Sequence, residues 1–248
     1  MKYHSSVAAA ALLFSLLPSC QVFDAAPKAS TGYNPSTAPM KTRAEFLQES
    51  WVASEYRGKP VRDHFSSVYI APVNTRYMSQ QTWWQQQGGN TQSSLQKDTQ
   101  VFAGKIRREF QGAISNYPGK HLPLASGPGP GVLVVEIALV ELVPSKAYWN
   151  AGATAAGFVI PGAGFLSAAG RGSIAIEGRA RDGGSGKIIA TFKDRRADKV
   201  APINFDSYTW YEGAEGNVSD WASEFAQLIN TPPHQVIKRA SSVKLQPW

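Results

Sequence analysis

The chain has 248 residues, of which 43% are hydrophobic and 17% charged, which is enough apolar material for a buried core and too little charge for a disordered polymer. Its 25 Lys and Arg against 18 Asp and Glu leave a net charge of +7, but the basic residues come in short pairs, Arg107-Arg108, Arg195-Arg196 and Lys238-Arg239. That spacing excludes a continuous phosphate-tracking stripe, so no nucleic-acid partner is expected, and a single cysteine excludes an internal disulfide or a cysteine metal cluster.

Residues 1–20 read MKYHSSVAAAALLFSLLPSC. Lys2 opens the segment and an apolar run follows over residues 7–17, a pattern that reads as an export signal and is too short to cross a bilayer, which takes roughly 20 apolar residues. Its last four residues, Leu17-Pro18-Ser19-Cys20, resemble the bacterial lipobox. The resemblance implies transfer of a diacylglyceryl group with palmitate-type chains to the Cys20 thiol, cleavage before Cys20, acylation of the new amine, and a membrane partner held through that lipid. With about 0.8 kcal/mol per buried methylene, two or three acyl chains anchor a protein stably. Gln21 rather than Asp after the cysteine implies, by the same resemblance, an outer-membrane lipoprotein facing the periplasm. Residues 20–44, rich in Ala, Pro, Ser and Thr, read as the lipidated N-terminus and a flexible tether. Residues 45–233 then form a single domain, and residues 234–248 a basic C-terminal tail.

Within the domain, residues 67–73 (SVYIAPV) form a short apolar run that reads as the first strand. Leu95, Phe102, Ile106, Phe110, Ala113 and Tyr117 recur at helical spacing, and Pro118-Gly119 supplies a stop. After the glycine-proline segment 127–131, residues 132–142 (VLVVEIALVEL) are apolar on both alternate sets, as in a strand covered on both faces. Residues 173–181 alternate instead, with Ile174, Ile176 and Ala180 opposite Glu177, Arg179 and Arg181, which predicts one wet face. Residues 182–186 (DGGSG) turn the chain into residues 187–196, completing an antiparallel hairpin. Asn217, with Asp220 at its third position, predicts the start of a last helix whose apolar stripe runs through Val218, Trp221, Ala222, Phe225, Leu228 and Ile229. The expected architecture is α+β, a mostly antiparallel sheet of about four strands with two helices packed on one face, plus a Gly/Ala-rich apolar hairpin or loop.

With these segments in place, the chain resembles the bacterial lipoproteins grouped as protein of unknown function, family 3313. The resemblance covers residues 45–229. It rests on residues 127–140, the Gly and Ala segment 157–170, the hairpin 174–194 and Asp220-Trp221-Ala222. It implies an envelope lipoprotein and carries no established activity.

Sites of chemistry are sparse. Ser185-Gly186-Lys187 lacks the spaced glycine and the following hydroxyl of a phosphate loop, because Arg181 and Ile188 stand near those places, so a hairpin turn is expected. His4, His64, His121 and His234 are far apart in sequence and have no helically spaced partner, so neither a metal site nor a cofactor is expected. No nucleophile elbow or paired-carboxylate signature is present, and no catalytic residue is assigned.

Residues 151–170 (AGATAAGFVIPGAGFLSAAG) carry no charge, and the glycines with Pro161 favour a hairpin or loop over one straight helix. Phe158, Val159, Ile160, Phe165 and Leu166 are candidates for contact with the domain's own core, a second subunit or the membrane. Trp83, Trp84, Tyr208, Trp210 and Tyr211 are candidates for sugar stacking or a protein interface. The function expected is a lipid-anchored envelope binding or assembly module, with a protein partner or a homo-oligomer through residues 151–170. The alternative is an envelope enzyme acting on glycan, lipid or peptide through a site assembled from loops.

Overall fold

In the computed structural model, which describes residues 30–143, 172–198 and 211–240, the apolar segments assemble one mixed sheet under two long helices. In chain order the elements are β1 (Glu49–Val52), β2 (Ser67–Ile70), α1 (Thr82–Gln85), α2 (Gly89–Ser115), β3 (Val132–Val143), β4 (Ser173–Asp182), β5 (Ile188–Ala197) and α3 (Glu212–Asn230). Single 3-10 turns lie at Ser54–Tyr56, Val61–Asp63 and Met78–Gln80. The strands are ordered β1-β5-β4-β3-β2. β2 runs parallel to β3, and every other neighbouring pair is antiparallel. α2 lies between β2 and β3 in the chain, the crossover that a parallel pair requires. The α+β class and the mostly antiparallel sheet match expectation, but the sheet has five strands rather than about four. β1, the edge strand missed, has only four half-buried residues and too short a stretch to show alternation.

Leu133, Val135, Ile137 and Leu139 of β3, with Ile174 and Ile176 of β4, share one core with Phe102, Ile106 and Phe110 of α2 and Trp221 and Phe225 of α3. β3 is an interior strand buried almost throughout, as its double apolar pattern predicts. Gly178 belongs to this face by necessity, since a Cβ there would stand 2.0 Å from Cζ of Phe192, its partner across the pair. The aromatic ring takes the space the glycine leaves.

The opposite face is less wet than β4's alternation predicts. Glu177 is only 2% exposed, because residues 31–37 cross that face. Thr31 donates its N–H to Glu177 Oε1 at 2.8 Å, Asn34 donates to the Phe192 carbonyl at 3.1 Å, and Thr37 meets Thr191 at 3.0 Å. The strip then passes the β1 edge, where the Met40 N–H reaches the Ser50 carbonyl at 2.9 Å. Residues 30–44 are thus a strap packed on the sheet, a correction to the flexible tether expected for residues 20–44. Residues 20–29 lie outside the described residues.

The start of the expected tail is anchored too. Ile237 is buried and bridges Ala44, so residues 234–240 belong to the domain. α3 begins at Glu212 rather than at Asn217, and Asn217 is an interior helical residue whose amide donates to the Ala197 carbonyl at 2.9 Å. The hairpin turn is as expected, with Asp182 Oδ1 accepting from the N–H groups of Gly184 and Ser185. These bonds hold the Asp182 carboxyl below its ordinary pKa. Gly183 is required there because a Cβ would stand 2.6 Å from the Gly129 carbonyl oxygen.

Candidate functional site

Protein interiors pack almost without voids larger than a water molecule, so an apolar cavity of about 350 Å³ between the sheet and the end of α3 stands out. Its floor is the helix-facing side of the sheet, from Leu133 and Val135 of β3, Ala180 of β4, and Ile189 and Phe192 of β5. Ala180 and Ala190 also line it and are register partners across β4 and β5. Two methyl side chains stand side by side where larger residues would fill the space. Phe225, Leu228 and Ile229 form the α3 wall, and Leu47, Trp51, Val52, Tyr56, Val61 and Phe65 form the wall opposite.

Polarity is confined to a few places. His64 lines the cavity, and its Nε2 is buried without a hydrogen-bond partner. Its ring lies 4.8 Å from that of Tyr56, which itself stacks on Phe65. The lining residues that are exposed to solvent are Lys41, Arg57, Gly58 and Lys59, three cations and a glycine. Gly58 turns the rim between two of the cations with a φ of 67°, a conformation glycine adopts without strain. Arg57 is held by donating from Nε to the Val52 carbonyl at 2.8 Å.

Arg43 lines the same cavity but is committed to the fold. Its guanidinium donates to the carbonyl oxygens of Leu228, Thr231, Pro232 and Gln235 and to the Thr231 hydroxyl. It satisfies carbonyls that the end of α3 leaves without helical partners. Burial lowers its pKa from the ordinary arginine value.

A second polar constellation lies deeper, between β5, α3 and the C-terminal segment. Asp194 Oδ2 accepts from Trp221 Nε1 at 2.6 Å and Arg196 Nε at 2.8 Å, while its Oδ1 accepts from Arg239 at 2.6 Å. Arg196 also donates to Glu224 at 2.6 Å, and its Nη1 stands 3.9 Å from Asp220. Burial pushes the Glu224 carboxyl upward against the pull of Arg196. These groups are consumed in pairing with one another, the arrangement of a structural clamp, and Asp194 is 2% exposed. Sequence reading did not anticipate this cluster, although Asp220 and Trp221 were among the residues carrying the family resemblance.

Of the candidate interaction residues, Trp83 and Trp84 are buried, at 2% and 5% exposure. They pack edge to face, and Trp83 Nε1 donates to Gln81 at 3.0 Å. Their apolar area is spent in the core, so neither presents a ring for recognition. Tyr211 is half-buried with its ring 4.8 Å from Phe102. Cys20, Phe158, Val159, Ile160, Phe165, Leu166, Tyr208 and Trp210 lie outside the described residues. Sequence reading also missed the cavity. In the sequence Ala180 is only one position of an alternating strand, and His64 an isolated histidine.

A family model, Protein of unknown function (DUF3313), matches residues 55–225. The chain belongs to that family. The match runs from the cavity's Tyr56 through β2, β3, β4 and β5 to Phe225 of α3, so the floor and the Arg57 to Lys59 part of the rim lie within it, while Lys41, Arg43, Leu47, Trp51, Val52, Leu228 and Ile229 stand outside its limits. No curated protein matches the chain. Among solved structures, a PelC dodecamer from Paraburkholderia phytofirmans shares 8% identity, covering 70% of this chain and 96% of that one, at a TM-score of 0.33. Protein XCC0632 from Xanthomonas campestris shares 10%, covering 70% and 91%, at 0.36. Neither likeness is close enough to carry function or assembly across.

Proposed function

We propose that this protein is a lipid-anchored binding module of the cell envelope that takes an apolar ligand into the cavity between the sheet and the C-terminal half of α3. The cavity carries the reading. Its volume lies near the lower end of the roughly 300–1,000 Å³ typical of small-molecule sites, and its lining is mainly aliphatic and aromatic. The N-terminal segment ending at Cys20 supports anchoring, through lipid, in the outer membrane with the domain facing the periplasm. Two further features favour binding over a flat docking surface or an enzyme. Among the described residues the large exposed apolar side chains are Val101, Leu124 and Val236, far apart in sequence, and the buried charges around Asp194 are engaged with one another.

The test is a titration of the neutral fluorophore N-phenylnaphthylamine into the chain from Gln21 onward, which keeps every described residue. The expected result is saturable binding of one probe. Ala180→Leu and Ala180→Trp, which fill the floor, are expected to reduce binding progressively while thermal unfolding stays cooperative. Non-saturating fluorescence, or full binding by a folded Ala180→Trp variant, contradicts the proposal.

A further inference from the structure

Resting on that reading of the cavity, we infer that its ligand is a single-chain amphiphile with an anionic head, a carboxylate or a phosphate on one acyl chain. Two observations converge. First, the cavity's modest volume and apolar walls suit one hydrocarbon chain rather than two. Second, its exposed lining is Lys41, Arg57, Gly58 and Lys59, and no Asp or Glu lines it. The acidic residues nearest in sequence to that rim do not offset it, since Glu55 is held by Lys187 and none of Glu45, Glu55 and Asp63 lines the cavity. A cationic rim around an apolar hole discriminates by charge, because it draws an anionic head and repels a cationic one at the point where the tail enters.

The tail and the head therefore answer to different residues. Ala180, Ala190 and Leu133 determine whether a chain fits, while Lys41, Arg57 and Lys59 determine which head is preferred. This separation lets the head-group inference fail while the cavity reading survives.

The experiment is displacement of bound N-phenylnaphthylamine by four amphiphiles of equal chain length, each below its micellar concentration: dodecanoate, dodecyl phosphate, dodecanol and dodecyltrimethylammonium. At least one anion is expected to displace the probe about tenfold more tightly than dodecyltrimethylammonium, a ratio worth about 1.4 kcal/mol. That ratio should shrink as salt screens the exposed rim. Which anion competes better tells a carboxylate ligand from a phosphate. In the Lys41→Glu, Arg57→Glu and Lys59→Glu triple variant the order is expected to invert, with dodecyltrimethylammonium displacing the probe more tightly than either anion. Equal displacement by all four with probe binding intact overturns the head-group inference alone, and so does a salt-independent ranking. Absence of probe binding overturns the cavity reading beneath it. If the triple variant does not fold, the wild-type ranking and its salt dependence decide the matter.

Discussion

The phenol of Tyr33 lies between the Arg179 guanidinium, 4.7 Å from its ring, and the ring of Tyr77 at 6.0 Å, edge to face. Burial, with the Glu136 carboxylate adding to it, pushes the phenol up to about 12. A raised pKa means that the folded chain keeps a proton which the unfolded chain releases near 10.0. The stabilisation is therefore complete below that value and is lost as pH rises toward about 12. Denaturant unfolding between about pH 9 and pH 11 should show stability falling with pH, and Tyr33→Phe should flatten that fall. Equal slopes for the two chains would show that Tyr33 does not titrate against the fold. The apolar stripe of α2 was legible because Leu95, Phe102, Ile106 and Phe110 repeat with the helix. The roles of Trp83 and Trp84 were not, since an aromatic pair has the same sequence whether it faces solvent or core.

At the scale of elements, the hairpin of β4 and β5 was readable from its turn chemistry, whereas the clamp that ties it to α3 was not. Asp194 and Arg196 on β5 meet Trp221 and Glu224 on α3, and Arg239 arrives from the C-terminal segment. Local patterns carry no record of pairings across so long a stretch of chain. For the same reason Asn217 resembles a cap in sequence, because Asn is favoured there and nothing nearby reveals that α3 starts at Glu212, more than a full turn earlier. Removing one member of a buried ion cluster leaves its partners charged and desolvated. Asp194→Ala should thus cost ~3–5 kcal/mol, read as a lowered urea midpoint with an unchanged slope. A loss below about 1 kcal/mol, the scale of an exposed ion pair, would show that the cluster is solvated. Residues 234–240 contribute Ile237 and Arg239 to the same region, which is why this segment packs instead of trailing as a tail.

For the molecule as a whole, the α+β class followed from strand and helix periodicity. The binding site was less legible, because a cavity is defined by what surrounding side chains leave unfilled. Its floor depends on Ala180 and Ala190 meeting across two strands, its walls on residues from Leu47 to Ile229, and its rim on a loop around Gly58. None of these segments announces a pocket by itself. The central claim is that this space receives a hydrocarbon ligand, and methyl-resolved NMR during titration with N-phenylnaphthylamine tests it most directly. The methyl signals of Leu133, Val135, Ile189, Leu228 and Ile229, which line the cavity, should move together and saturate. Those of Ala138 and Val140, in the separate cluster with Tyr77 and Ala175, should stay in place. Shifts confined to that second cluster, or none that saturate, would contradict the claim.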